Sequence, residues 1–152
     1  MINIKSLIPH REPFLFVDSI LSIDEKKITA HKMFSKEEHF YEGHYPNNPI
    51  TPGVILCETI FQTAAALILK NFPLEKGTPV LAKIEEARFK SIVKSEELLK
   101  ITAELEEKYN KFFLMNGTIQ KVDGTTVLKI KFSLAISESE LPQEGLPRGS
   151  AP

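Results

Sequence analysis

Cysteine occurs once in 152 residues, so no internal disulfide framework can form. That one thiol, Cys57, is flanked by apolar residues and reads as a packed core group rather than a nucleophile. An excess of either charge is also missing: 19 basic residues stand against 20 acidic ones, a net charge of -1. Nonspecific nucleic-acid binding needs a basic surplus and is therefore disfavoured. The N-terminus lacks the charged, apolar and small-residue succession of a signal peptide. The one long apolar stretch, Val54 to Leu69, reads as too short and, at Glu58 and Gln62, too polar to span a bilayer. A cytoplasmic protein with no membrane partner is expected. Repeats and low-complexity tracts are absent, and His39 and His44 lack the helical two-histidine spacing of a zinc site, with Glu42 adding little. Neither a metal nor a cofactor is expected.

The composition that remains, 42% hydrophobic and 26% charged, is that of one ordinary globular domain. Its bounds are read as 1–138. The stretch 139–152 is read as a tail, because Leu141 to Pro152 is rich in proline and glycine and shows no alternation. Leu-Pro-Arg-Gly-Ser within it has the look of a cloning or protease-site scar.

Periodicity divides the domain into strands and one helix. Leu99, Ile101, Ala103 and Leu105 alternate with Lys100, Thr102, Glu104 and Glu106, the period-2 pattern of a strand with one buried face. Leu128, Ile130, Phe132, Leu134 and Ile136 repeat it. Asp123-Gly124 predicts a tight hairpin between arms at Phe112 to Lys121 and Thr125 to Ile136. Further strands are expected over Phe14 to Ile23, Lys27 to Phe34 and Val80 to Phe89. A helix from Pro52 to Lys70 would be about 28 Å long at ~1.5 Å per residue.

That helix raises a chemical question. From Val54 to Leu69 its only charged residue is Glu58, and apolar side chains occupy every side, as in a buried helix. A buried carboxyl is either satisfied, with Gln62 one turn away as the local partner, or kept protonated and able to donate a proton. Thr51 suits the N-cap, Pro52 the first helical position and Gly53 the next, where a missing side chain would let an anion approach the unpaired N–H groups. Thr-Pro-Gly also opens many ordinary helices. His44, fourteen residues before Glu58 in a Gly/Pro/Asn-rich loop, supplies an imidazole that can act as a base near neutral pH.

Three stretches, in order, carry a family resemblance: PHRxPFLxVD from Pro9 to Asp18, GHYPxxPxxPGVxxxE from Gly43 to Glu58, and ARF from Ala87 to Phe89. Together they resemble the (3R)-hydroxyacyl-acyl-carrier-protein dehydratases of the FabZ type, over roughly Leu7 to Ile136. The resemblance implies an α+β hot-dog fold, a long central helix wrapped by a curved antiparallel sheet. It implies dehydration of a (3R)-3-hydroxyacyl group on acyl carrier protein to the trans-2-enoyl thioester, in fatty acid, aryl-polyene or polyketide assembly. His44 would remove the α-proton and Glu58 would protonate the leaving hydroxyl. Gly53, Val54 and Gln62 would bind the thioester oxygen and substrate. In such enzymes the histidine of one subunit faces the acid of its partner, so a homodimer is implied, with a trimer of dimers as a further assembly. Glutamate at position 58, where the isomerising FabA type usually has aspartate, implies no double-bond isomerisation.

Two positions depart from that pattern. Tyr45 stands where phenylalanine is usual. Lys83 stands where glycine is usual, so it joins Ile55, Phe61 and Phe89 as a candidate lining residue of the acyl tunnel, with an exposed position as the alternative. Arg88, Lys90 and Lys94 form a candidate landing patch for the acidic carrier, or a solvated strand end. His10 is read as fixing its loop by hydrogen bonding, with a supporting role open, and His31 and His39 as surface groups. The rival functions are a hot-dog thioesterase, a hydratase of coenzyme A thioesters and a noncatalytic acyl-binding subunit. The hydratase's Asp/Asn-Pro-Ile-His segment is missing, and a noncatalytic subunit would typically lack His44 or Glu58.

Overall fold

The computed structural model describes residues 2–74 and 76–138, and the tail expected over 139–152 lies outside them. After a short 3-10 turn (Ile4–Ser6), the elements run β1 (Ser19–Ile23), β2 (Lys27–Met33), α1 (Phe40–Gly43), α2 (Gly53–Asn71), β3 (Thr78–Phe89), β4 (Leu98–Tyr109), β5 (Phe112–Lys121) and β6 (Thr126–Ser137). The six strands form one antiparallel sheet in the order β1-β2-β4-β5-β6-β3. α2 packs on its inner face, as the hot-dog fold requires. Register shifts at Leu105/Glu107 in β4, and at Leu81/Lys83 and Ile84/Glu86 in β3, bend these strands. Such bends let the sheet curl around the helix.

The alternating strands behave as their pattern requires. Leu99, Ile101, Ala103 and Leu105 are buried, while Lys100, Glu104 and Glu106 face outward. On α2, Ile60, Ala64, Leu67 and Ile68 are fully buried. Each large aliphatic group there contributes roughly 1.5–3 kcal/mol of transfer free energy. The buried hydroxyls of Thr59 and Thr63 donate to the carbonyls of Ile55 and Thr59 one turn back, so neither is left unpaired. Gly117 of β5 lies against α2 so closely that an added Cβ would collide with Ile60 Cγ2. Close approach, not a turn, demands glycine there. The β5–β6 hairpin closes through Gly124 at φ 90, with Thr125 N–H donating to Asp123 Oδ1 at 2.9 Å.

Three expectations need correction. The segment Phe14 to Asp18 is not strand: Phe16 N–H and the Phe14 carbonyl bond to the Gln62 side chain instead of a neighbouring strand. Asp18 then accepts from Lys32 Nζ at 3.1 Å and from Met33 N–H at 2.8 Å, anchoring the segment to β2. The helix starts at Gly53, with Pro52 as N-cap and no side-chain cap bond. Thr51 does not cap because its hydroxyl is engaged with the Tyr41 hydroxyl at 2.6 Å and its N–H donates to Val93 O at 2.7 Å. Finally, α2 is not too short or too polar for a membrane span: its 19 residues include an 18-residue stretch with a mean hydropathy of 1.5. What marks it as a core helix is that 61% of that span is buried inside the protein.

Candidate active site

Phe40, Tyr41, Glu42 and Gly43 form the single turn of α1, and His44 closes it, its N–H donating to Phe40 O at 3.0 Å. His44 Nδ1 lies 2.9 Å from Ile50 O. A carbonyl only accepts, so this contact places the ring proton on Nδ1 and leaves Nε2 with a lone pair, as a base needs. The next residue, Tyr45, has a left-handed backbone (φ 54) and is 64% exposed, its ring meeting the His44 imidazole edge-on at 4.8 Å. Thr51, clamped by Tyr41 and Val93, fixes the far end of the loop. Burial pushes the Tyr41 phenol above its ordinary pKa and keeps it protonated for that clamp.

The start of α2 offers N–H groups without a side-chain cap at Gly53 and Val54. Phe89 Cε1 would lie 3.0 Å from a Cβ at Gly53, so the last residue of β3 closes over the helix entrance. Val54 is 76% exposed. One turn on, Glu58 has a side chain 25% exposed, not the fully buried carboxyl that its apolar helix suggested. Gln62, a buried amide, donates from Nε2 to Glu58 Oε2 at 3.0 Å and to Phe14 O at 2.9 Å, and its Oε1 accepts from Phe16 N–H at 2.8 Å. Every hydrogen-bonding atom of that amide is occupied.

Glu58 opens onto a cleft of about 210 Å³ lined by His10, Phe61, Gln62, Ala65, Val80 and Leu81, among others. Phe61 packs against Phe132 at 4.9 Å. His44 is not among the residues that line this cleft. Ile55 is half-buried on α2, and Phe89 is 52% exposed. Lys83 stands at the register position of Ser133, with its side chain 67% exposed and 3.3 Å from Glu85. Arg88 and Lys90 join Lys129 and Lys131 around a groove on the outer face of the sheet. Lys94 sits apart from it, its N–H donating to Glu97 Oε2 at 2.7 Å. Cys57 is buried, and burial pushes its thiol pKa up, so it has the character of a core group.

The sequence did not announce His10 as a neighbour of Glu58. Its Nε2 lies 3.9 Å from Glu58 Oε2. The available signal was the motif PHRxPF, whose Arg11 donates to the carbonyls of Lys5, Ile8 and His10 and so folds the loop back over the helix.

Comparison with known proteins points one way. Residues 8–131 match the FabA-like domain family. A 3-hydroxyacyl-acyl-carrier-protein dehydratase FabZ of Petrotoga mobilis is 38% identical over 137 residues, covering 90% of this chain and 97% of the relative. The protein of the same name from Rickettsia bellii is 35% identical over 138 residues, covering 90% and 94%. Among solved structures, the dehydratase heterocomplex ApeI:P from Xenorhabdus doucetiae matches with a TM-score of 0.78 at 14% identity, covering 91% of this chain and 93% of that one. A hypothetical thioesterase from Streptococcus pneumoniae, solved with coenzyme A, matches with a TM-score of 0.64 at 13% identity, covering 80% and 90%. At such identities the two structural likenesses speak to the fold alone.

Proposed function

The chain belongs to the FabA-like family, and from that premise we propose how its residues divide the work of the reaction. The enzyme dehydrates a 3-hydroxyacyl group carried on acyl carrier protein, the activity its relatives are named for. His44 Nε2 takes a proton from C2 of the acyl chain. As the C2–C3 double bond forms, the C3–O bond breaks and Glu58 gives its proton to the departing hydroxyl, which leaves as water. Negative charge on the thioester oxygen meets the Gly53 and Val54 N–H groups at the positive end of α2, and such preorganised donors are typically worth ~3 kcal/mol each. Proton exchange with solvent resets the pair. The expected product is the trans-2-enoyl thioester of fatty acid or related acyl-chain synthesis, with no double-bond shift.

The observation that supports this reading is an imidazole whose Nδ1 is engaged by Ile50 O, and a carboxyl anchored by Gln62 in a cleft that His44 does not line; we read them as two half-sites. Both are completed when two copies pair. β3 supports that pairing, being a twelve-residue edge strand with Val80, Leu81, Ile84 and Phe89 each at least 40% exposed. A long edge strand that exposes four large apolar side chains is a liability in a lone chain and suits an interface in a dimer. The test follows enoyl absorbance and free thiol together on 3-hydroxyacyl carrier substrates of several lengths. Rising absorbance without thiol is the expected result. Thiol without enoyl product would make the protein a thioesterase.

The carrier protein docks on the outer groove. Arg88 is paired with Glu86, and Lys131 with Glu106, but among the described residues no ion pair engages Lys90 or Lys129. The groove thus keeps a net positive character that suits an acidic carrier. Reversing Arg88 and Lys90 together to glutamate is expected to raise KM for carrier-linked substrate about 10-fold and to flatten the salt dependence of kcat/KM. An unchanged KM would remove the groove from the docking surface.

A further inference from the structure

The cleft that holds Glu58 contains a second titratable side chain to which the reaction as described gives no task. His10 brings Nε2 to 3.9 Å from Glu58 Oε2, the same oxygen that accepts from Gln62 Nε2 at 3.0 Å. His10 Nδ1 is buried and has no hydrogen-bond partner among the described residues. Protonating the ring fully would bury an unpaired N–H at that atom, which is costly; a neutral ring with its proton on Nε2 leaves only an unpaired acceptor there. The neutral form with Nε2–H directed at Glu58 is therefore favoured. β3 and β6 contribute Pro79, Val80, Leu81 and Leu134 to the cleft, none of which titrates. On the histidine's own loop the nearby charges are Arg11, whose guanidinium donates to the His10 carbonyl at 2.6 Å, and Glu12, which pairs with Lys5 at 3.1 Å. Glu58 is thus the ionisable group that meets the imidazole from another element.

The geometry points to His10 as a positioning residue for Glu58: its Nε2–H and the Gln62 amide hold Oε2 as an acceptor, so that the transferable proton rides on Oε1. One donor on Oε2 and a second directed at it break the symmetry of the carboxyl. The proton then sits on the oxygen they leave unengaged. At 3.9 Å the imidazole is beyond hydrogen-bond distance of Oε2, and catalytic contacts of this kind commonly tighten once substrate fills the cleft. The assignment rests on the proposed role of Glu58 as the acid, and its test separates the two.

Turnover of His10→Ala, His10→Gln and Glu58→Gln is measured across pH, beside the wild type. His10→Ala is expected to lower kcat about 10-fold with KM within about 2-fold, and to displace a limb of the kcat–pH profile. His10→Gln, whose amide N–H can reach the same oxygen, is expected to recover most of the loss. Wild-type kcat and an unmoved limb in His10→Ala, with Glu58→Gln inactive, would overturn the positioning role alone. If Glu58→Gln itself turns over like the wild type, the role of Glu58 falls and takes this one with it. Should His10→Ala fail to fold, nitrogen NMR of the wild-type imidazole decides: a proton on Nε2 with Nδ1 bare supports the assignment, and a proton on Nδ1 overturns it.

Discussion

Replacing His44 with alanine is expected to lower kcat for dehydration by about 10³-fold, the scale on which a positioned general base contributes. The protein itself should survive. His44 is only half-buried, and the substitution removes one side-chain hydrogen bond, to Ile50 O, and one edge contact with Tyr45. Their loss costs on the order of 1 kcal/mol, a small part of the stability of a domain with this core. The measurement is enoyl formation under saturating substrate, with a thermal melt on the same preparation. A drop of less than tenfold in a folded variant would mean that the α-proton leaves by another base.

Mixing two dead variants is expected to revive the enzyme. His44→Ala keeps the Glu58 half-site, and Glu58→Ala keeps the His44 half-site. Where each site takes one residue from each chain, a heterodimer of the two holds one intact site and one doubly damaged one. Random pairing makes about half of the dimers heterodimers, so activity returns to about one quarter of wild type in a symmetric two-site dimer. The experiment unfolds the two variants together, refolds them and compares turnover with each refolded alone. No recovery in a mixture shown by mass spectrometry to contain heterodimer would place both residues of a site on one chain. The separation of His44 from the cleft of Glu58 is the reason to expect recovery.

Much of this architecture was legible because the strands obey a two-residue period and the core helix is apolar throughout. Leu99 to Leu105 and the hairpin at Asp123-Gly124 needed only the pleat of a sheet and the chemistry of a turn to be placed. The helix came out at the expected length, displaced by one residue, because the hydroxyl of Thr51 has a better partner in Tyr41, a long-range contact that no local cap rule can foresee. Phe14 to Val17 has the composition of a strand but bonds the Phe16 N–H and the Phe14 carbonyl to Gln62, 46 and 48 residues away, so Leu15, Phe16 and Val17 fill the core without entering a ladder. The pairing of Gln62 with Glu58 follows from helical spacing and was open to inspection. That of His10 with Glu58 was not, since it depends on how Arg11 folds the N-terminal loop. The overstatement of Glu58's burial has a related cause: the cleft beside His10, which leaves the carboxyl partly exposed, is built by the N-terminal loop and β3 and cannot be read from the helix's own sequence.

The Gln62 amide has a consequence for which sequences can carry this site. It grips the loop by the carbonyl of Phe14 and the N–H of Phe16, groups that every residue other than proline supplies in the same form. The side chains at those positions are thereby decoupled from the orientation of Glu58. A lineage can exchange the ring of Phe14, which is half-exposed, to suit a different acyl chain or a different neighbour without disturbing the acid one turn away. What drift cannot touch is the glutamine, where even the one-methylene change to asparagine would withdraw all three contacts together.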